Sequence, residues 1–194
     1  MFNYYFNRIF QTYNSILVKY ILSILTLSPN IITIFTVIFA FIALSLCYFN
    51  YVFIGFIFFI ISGFLDVIDG QVARERKITS DFGAALDIYC DRICESLFLL
   101  AIYITHDFTY IALCSLIASY LCVTSFLIVS TLSLKNEHKK SFFYSPGLIE
   151  RFEAYVFFSV MLLTNYHIIF GITYSVLTVY TSVFRLYEYK KQTL

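Results

Sequence analysis

Charge is scarce in this chain. Asp, Glu, Lys and Arg make up 13% of its 194 residues, where a soluble domain usually has about a quarter. Apolar residues make up 60%, and mean hydropathy is +0.82. One soluble core of this length does not bury so much apolar surface, so the composition excludes a soluble domain and points to an integral membrane protein. Linkers, low-complexity tracts and internal repeats are missing too, and residues 1–194 read as a single membrane domain. Tryptophan is absent beside 17 Tyr and 23 Phe, a bias we read as genome composition rather than mechanism. The cysteines Cys47, Cys90, Cys94, Cys114 and Cys122 lack any paired extracellular spacing and all fall in apolar segments. Packed free thiols are expected rather than a disulfide or metal role.

What the chain does have is apolar runs near the length of about 20 residues that a span requires. Six are expected, over Ile31–Phe49, Val52–Ala73, Phe82–Ile104, Tyr110–Leu132, Leu148–Leu163 and Ile168–Tyr187. Ahead of them, Tyr5, Phe6, Ile9, Phe10, Tyr13, Ile16, Leu17 and Tyr20 recur at helical spacing, with Asn3, Asn7, Arg8, Gln11, Ser15 and Lys19 mostly opposite. That pattern suits an amphipathic N-terminal helix over residues 1–28 lying in the membrane interface. Polar interruptions and the lack of a small-residue cleavage site argue against a signal peptide. The fold class is therefore all-α, with six transmembrane helices behind an interfacial helix.

The net charge of +1 is uninformative, but its distribution is not. With the N-terminus inside, the inner segments hold Arg8, Lys19, Arg74, Arg76, Lys77, Lys135, Lys139, Lys140, Arg151, Arg185, Lys190 and Lys191. The outer turns near 48–51, 105–109 and 164–167 contain no Lys or Arg. The positive-inside rule then places both termini in the cytoplasm, in the cell (inner) membrane. Lys139, Lys140, Lys190 and Lys191 suit anionic lipid head groups. His106 and His167 fall on the outer side.

Against this apolar background stand Asp66, Asp69, Gly70, Ala73, Arg74, Gly83, Asp87 and Asp91, spaced D-x2-D-G-x2-A-R-x8-G-x3-D-x3-D. Ionisable groups at membrane depth are costly and mark function by default. Asp66 and Asp69 are i,i+3, and Asp87 and Asp91 are i,i+4, so each pair shares one helix face. The short connection Glu75–Ser80, with Ser80 or Asp81 as helix cap, makes the two helices antiparallel neighbours and brings the four carboxylates to similar depth. Their repulsion demands cations. Hard oxygen ligands without a His or Cys cluster favour Mg²⁺ or Mn²⁺ over zinc. Two such ions suit a diphosphate, whose attacking and leaving oxygens they would stabilise. Gly70 admits a ligand close to the helix backbone, Arg74 suits a phosphate, and Gly83 opens room opposite. One carboxylate is left to take a proton from an attacking hydroxyl.

These eight positions and their intervals resemble the signature of the CDP-alcohol phosphatidyltransferases, and the six-span layout resembles their fold. The resemblance implies that Asp66, Asp69, Asp87 and Asp91 bind two metal ions, with Asp91 also the base. It implies that Gly70, Ala73, Arg74 and Gly83 line the CDP-lipid site with Asp66 and Asp69. Asn30 and Thr33, within Pro29-Asn30-Ile31-Ile32-Thr33, are similar to an element that contacts the nucleotide end, and Ser80 to a nearby hydroxyl. Arg74-Glu75-Arg76, Leu86–Arg92 and Gly147–Arg151 resemble the phosphatidylinositol phosphate synthase branch more narrowly. There, Lys135, Arg151 and Arg185 would bind the phosphate of a phosphorylated polyol such as inositol phosphate. A homodimer is also implied, and no nucleic-acid partner is expected. Glycerol phosphate or another alcohol is the alternative acceptor.

Two other classes compete. An intramembrane prenyltransferase also uses paired aspartate motifs, but it calls for an Asn/Asp-Asp start where this chain has Leu65-Asp66. A divalent-cation transporter calls for acidic groups along a path to the outer face, and only Asp107 lies near that end. Arg92 and Glu95 are read as partners of the carboxylates or as an interhelical pair, His138 as a loop histidine, and Cys94 as packing.

Overall fold

The computed structural model describes residues 27–107, 109–135, 149 and 151–193. Of the expected interfacial helix, residues 1–26 lie outside the described residues, as do His138, Lys139, Lys140 and most of Gly147–Arg151. The described residues form six helices and no strands: α1 Pro29–Tyr48, α2 Val52–Glu75, α3 Asp81–Thr105, α4 Tyr110–Lys135, α5 Arg151–Leu163 and α6 His167–Thr193.

Local chemistry sets the ends. The Ser28 carbonyl accepts from the backbone N–H groups of Ile31 (3.0 Å) and Ile32 (3.3 Å), so α1 starts at Pro29 itself. Proline fits there because a first-turn residue needs no N–H donor and its φ is already helical. The α1 and α2 ends close alike. Asn50 (φ 65°) and Lys77 (φ 56°) are left-handed, and Tyr51 N–H reaches the Leu46 carbonyl at 2.9 Å and Ile78 N–H the Ala73 carbonyl at 3.1 Å. These are six-to-one C-terminal caps that satisfy carbonyls the helices would otherwise leave open. Asparagine tolerates that conformation better than lysine does.

Among the described residues, four helices are long and apolar enough to cross a membrane: α1, α2, α4 over Tyr110–Leu132 and α6 over His167–Lys191. Their outward faces stay apolar; Ile34 is 49% exposed and Phe41 52%, surface that a lipid environment covers. Together with the composition, this makes the chain a membrane protein. The other two expected spans differ. α3 has 25 residues but carries Asp81, Asp87, Asp91, Arg92 and Glu95. α5 is described over 13 residues, and most of the expected span ahead of Arg151 lies outside the described residues.

The chain packs as two compact units. The first comprises the described residues up to Ala43 together with Ile57–Glu95; the second comprises Leu44–Phe56 and Ser96 onward. In the first, Ile32, Ile68 and Val72 form a core with Leu27 and Leu65 packed against it. The Arg76 guanidinium donates to the Leu27 carbonyl at 2.7 Å, tying the α2–α3 loop to the chain ahead of α1. In the second, Phe98, Phe158 and Tyr174 meet edge to face. A polar seam joins α4 to α6: Ser115 lies 3.2 Å from Ser175 and Ser119 2.6 Å from the Tyr174 hydroxyl. Small hydroxyl residues suit helix contacts where lipid removes the hydrophobic drive. His106 and His167 stack on each other, centroids 4.1 Å apart.

Ser80 caps α3. Its Oγ accepts from Gly83 N–H at 3.0 Å and its carbonyl from Ala84 N–H at 3.0 Å. Ser80→Ala should therefore lower stability by about 0.5–2 kcal/mol, read as a fall in Tm of the detergent-solubilised protein. Ser80→Asp should restore most of it, since aspartate caps as well as serine does.

Candidate active site

The first unit carries an open cavity of about 170 Å³ lined by the starts of α1 and α3, the last turns of α2 and the α2–α3 loop. Eight of the nine residues expected at the CDP-lipid site line it: Asn30, Thr33, Asp69, Gly70, Ala73, Arg74, Ser80 and Gly83. Asp87 joins them. Asp66, the ninth, is buried on α2 one turn before Asp69. The sequence reading missed Pro29, Ile78, Thr79 and Ala84. Each adjoins or lies near an expected position, so the short loop and the two helix starts were the signal available.

Asp66, Asp69 and Asp87 place carboxylate oxygens within 4.8 Å of one another. Asp66 and Asp69 are buried and Asp87 is half-buried. Ionised oxygens at that separation repel by about 3 kcal/mol per pair at an effective dielectric near 20. The donor set fits a hard divalent cation: the oxygens are anionic, and ligands about 2.0–2.6 Å from one ion stand roughly 4–5 Å apart across it. Asp91, one turn beyond Asp87 on α3, is half-buried and stands outside this group. The structure thus brings together three of the four expected ligands.

Thr33 is buried on α1, and its Oγ1 donates to Asp69 Oδ2 at 2.5 Å. Gly70 and Gly83 act through what they lack. A Cβ on Gly70 would stand 3.3 Å from an Arg74 guanidinium nitrogen, so the arginine folds back over the glycine. A Cβ on Gly83 would stand 3.1 Å from Ser80 Oγ and 3.4 Å from Asn30 Oδ1, closing space that both polar groups use. The first turns of α1 and α3 add the partial positive charge of helix N-termini to the arginine. Carboxylates gathered in one cavity with a guanidinium and two helix starts suit a metal-bridged phosphate ligand.

Arg92 and Glu95 pair with each other within α3. Arg151 is exposed at the start of α5, Lys135 ends α4, and both belong with Arg185 to the second unit. Arg185 is half-buried. It donates to the Cys122 carbonyl at 3.1 Å and to Ser125 Oγ at 3.3 Å, and lies 5.4 Å from the Phe126 ring centroid.

The sequence pattern of the CDP-alcohol phosphatidyltransferase family matches residues 26–184, across both units. The chain belongs to that family. It is a phosphotransferase of phospholipid synthesis, and its family uses divalent metals. The fold is similar to that of Mycobacterium tuberculosis phosphatidylinositol phosphate synthase. With CDP-DAG bound, that structure aligns at TM-score 0.64 and 23% identity over 89% of this chain and 91% of the other. In complex with manganese and citrate it aligns at 0.68 and 22%, over 89% and 87%. The apo form gives 0.59 and 23%, over 88% and 93%. No curated protein sequence matches the chain.

Proposed function

We propose that the chain transfers a phosphatidyl group from a CDP-lipid of the CDP-diacylglycerol type to a phosphorylated polyol, releasing CMP. Inositol phosphate is placed ahead of glycerol phosphate. The observation that carries this reading is the cleft, lined by Asp69 and Asp87, which cluster with the buried Asp66, and by Arg74, Gly70, Gly83 and two helix starts. Family membership supports the donor, as do similar structures bearing CDP-DAG and manganese.

Asp66, Asp69 and Asp87 would hold Mg²⁺ or Mn²⁺, with Asp91 completing the places for a second ion. Bound there, the metals would neutralise the diphosphate and stabilise charge on the attacking and leaving oxygens. Arg74 grips a phosphate oxygen by charge-assisted hydrogen bonds, and Asn30, Thr79 and Ser80 offer polar contacts to the nucleotide end. Ser80 Oγ accepts from its helix, so its own proton is left to donate to a ligand. Asp91 takes the acceptor hydroxyl proton. The freed oxygen bonds to the lipid-side phosphorus, and the bond from that phosphorus to CMP breaks, its electron pair leaving with CMP. The protein works as six spans behind an interfacial helix, as a homodimer in the inner membrane, with the cleft and both termini on the cytoplasmic side.

Purified protein given CDP-diacylglycerol, Mn²⁺ and a panel of inositol phosphate, glycerol phosphate, inositol and serine should release CMP fastest with inositol phosphate. Arg151→Ala should raise the acceptor KM strongly and leave the CDP-lipid KM near wild type, because only one substrate meets it. Faster release with free inositol or serine, or unchanged acceptor kinetics in the variant, would refute the phosphate-pocket reading. No CMP release with any acceptor would refute the donor.

A further inference from the structure

Thr33 is expected at the nucleotide end of the ligand, yet its hydroxyl is spent elsewhere. The side chain is 4% exposed, and Oγ1 lies 2.5 Å from Asp69 Oδ2 and 3.1 Å from the Pro29 carbonyl. The hydroxyl has one proton, and the shorter contact takes it. An aspartate carboxylate otherwise turns over a broad torsional range, so this bond selects one orientation of Asp69 by committing one of its oxygens.

Thr33 is anchored in turn. Its carbonyl accepts from Thr36 Oγ1 at 2.6 Å. Ser62 Oγ donates to the Thr36 carbonyl at 2.8 Å, and Cys94 Sγ lies 3.7 Å from both Thr36 Oγ1 and Ser62 Oγ. Thr36, Ser62 and Cys94 are all buried. They come from α1, α2 and α3, with Ser62 one turn before Asp66 and Cys94 one turn after Asp91. Cys94 is thus a hydrogen-bonding member of a three-helix polar contact, not inert packing. The contact fixes the register of the helix bearing Thr33 against the two that bear the carboxylates.

We infer that Thr33 is a positioning residue for metal binding through Asp69, held in place by the Thr36–Ser62–Cys94 contact, and not a nucleotide-binding residue. This rests on the metal-dependent reading of the cleft. Removing a partner that orients a metal-ligating side chain typically costs 10–100-fold in metal affinity.

The test is Mn²⁺ binding, followed by the spin-resonance signal of free Mn²⁺, on wild type, Thr33→Val and Thr33→Ser in nanodiscs. Thr33→Val, which keeps the shape and loses the hydroxyl, should weaken the tighter Mn²⁺ site about 10–100-fold. Its CDP-lipid KM at saturating Mn²⁺ should stay near wild type. Thr33→Ser should restore Mn²⁺ affinity, which a mere packing role would not produce. A raised CDP-lipid KM with wild-type Mn²⁺ affinity in Thr33→Val overturns the inference alone. A wild-type protein that binds no Mn²⁺ overturns the functional reading and this inference with it.

Discussion

Asp69→Asn should abolish CMP release, with kcat down by at least about 10²–10³-fold, the loss typical when one charge-stabilising group is removed from an active site. The same variant should be no less stable than wild type in the presence of a chelator. Asparagine keeps the shape of aspartate, and its carbonyl oxygen still accepts from Thr33 Oγ1, 2.5 Å from the acceptor in the native structure. What disappears is one of three negative charges whose oxygens lie within 4.8 Å of one another. Losing it relieves repulsion with both Asp66 and Asp87. Metal-free Tm should therefore hold or rise, while the rise in Tm on adding Mn²⁺ should shrink, because ligand stabilisation follows the affinity of the folded state. Native turnover by this variant, or a marked fall in its metal-free Tm, would show that the cluster is structural. A site that gains stability when it loses function is the pattern expected of charges gathered for chemistry rather than folding.

Much of this was legible in the sequence because the governing chemistry is local. Val52 and Tyr110 begin helices where the apolar runs begin. The fixed intervals of the aspartate motif placed Asp66, Asp69 and Asp87 together because a tight loop leaves two helices no choice but to run side by side. Hydropathy, however, measures what lipid tolerates and not where hydrogen bonding stops. α6 accordingly continues from the expected end at Tyr187 to Thr193, through Glu188, Lys190 and Lys191. Pro29, two residues ahead of the expected start at Ile31, opens the helix, since the missing N–H costs nothing in a first turn.

Tertiary relations were the hidden part. Thr36, Ser62 and Cys94 sit in apolar runs where single small polar residues look inert, and only packing reveals that they meet. Arg92 and Glu95 are three residues apart on one helix, a spacing that already allowed the pairing they make. The spacing of Asp87 and Asp91 put both on one face but did not fix depth. Asp91, one turn beyond Asp87, falls outside the cluster whose oxygens lie within 4.8 Å of one another.

That offset motivates the last expectation. Asp91→Asn should lower kcat by about 10²–10⁴-fold, the range for losing a general base, while the tighter Mn²⁺ site survives. The three clustered carboxylates are untouched by the substitution, so the first ion keeps its ligands, and CDP-lipid binding should persist in part. A second, weaker Mn²⁺ should be lost or weakened, since Asp91 is proposed to border it. Asparagine has almost the same size, so neither the half-buried site nor the α3 backbone has reason to rearrange. The pH profile separates the two roles: removal of a base flattens the acidic limb of kcat against pH, whereas simple loss of a ligand is overcome by raising Mn²⁺. If excess Mn²⁺ restored full turnover, Asp91 would be a ligand only. If all Mn²⁺ binding vanished, the division of labour between the three-carboxylate cluster and Asp91 would be wrong, and the four aspartates would act as one inseparable site.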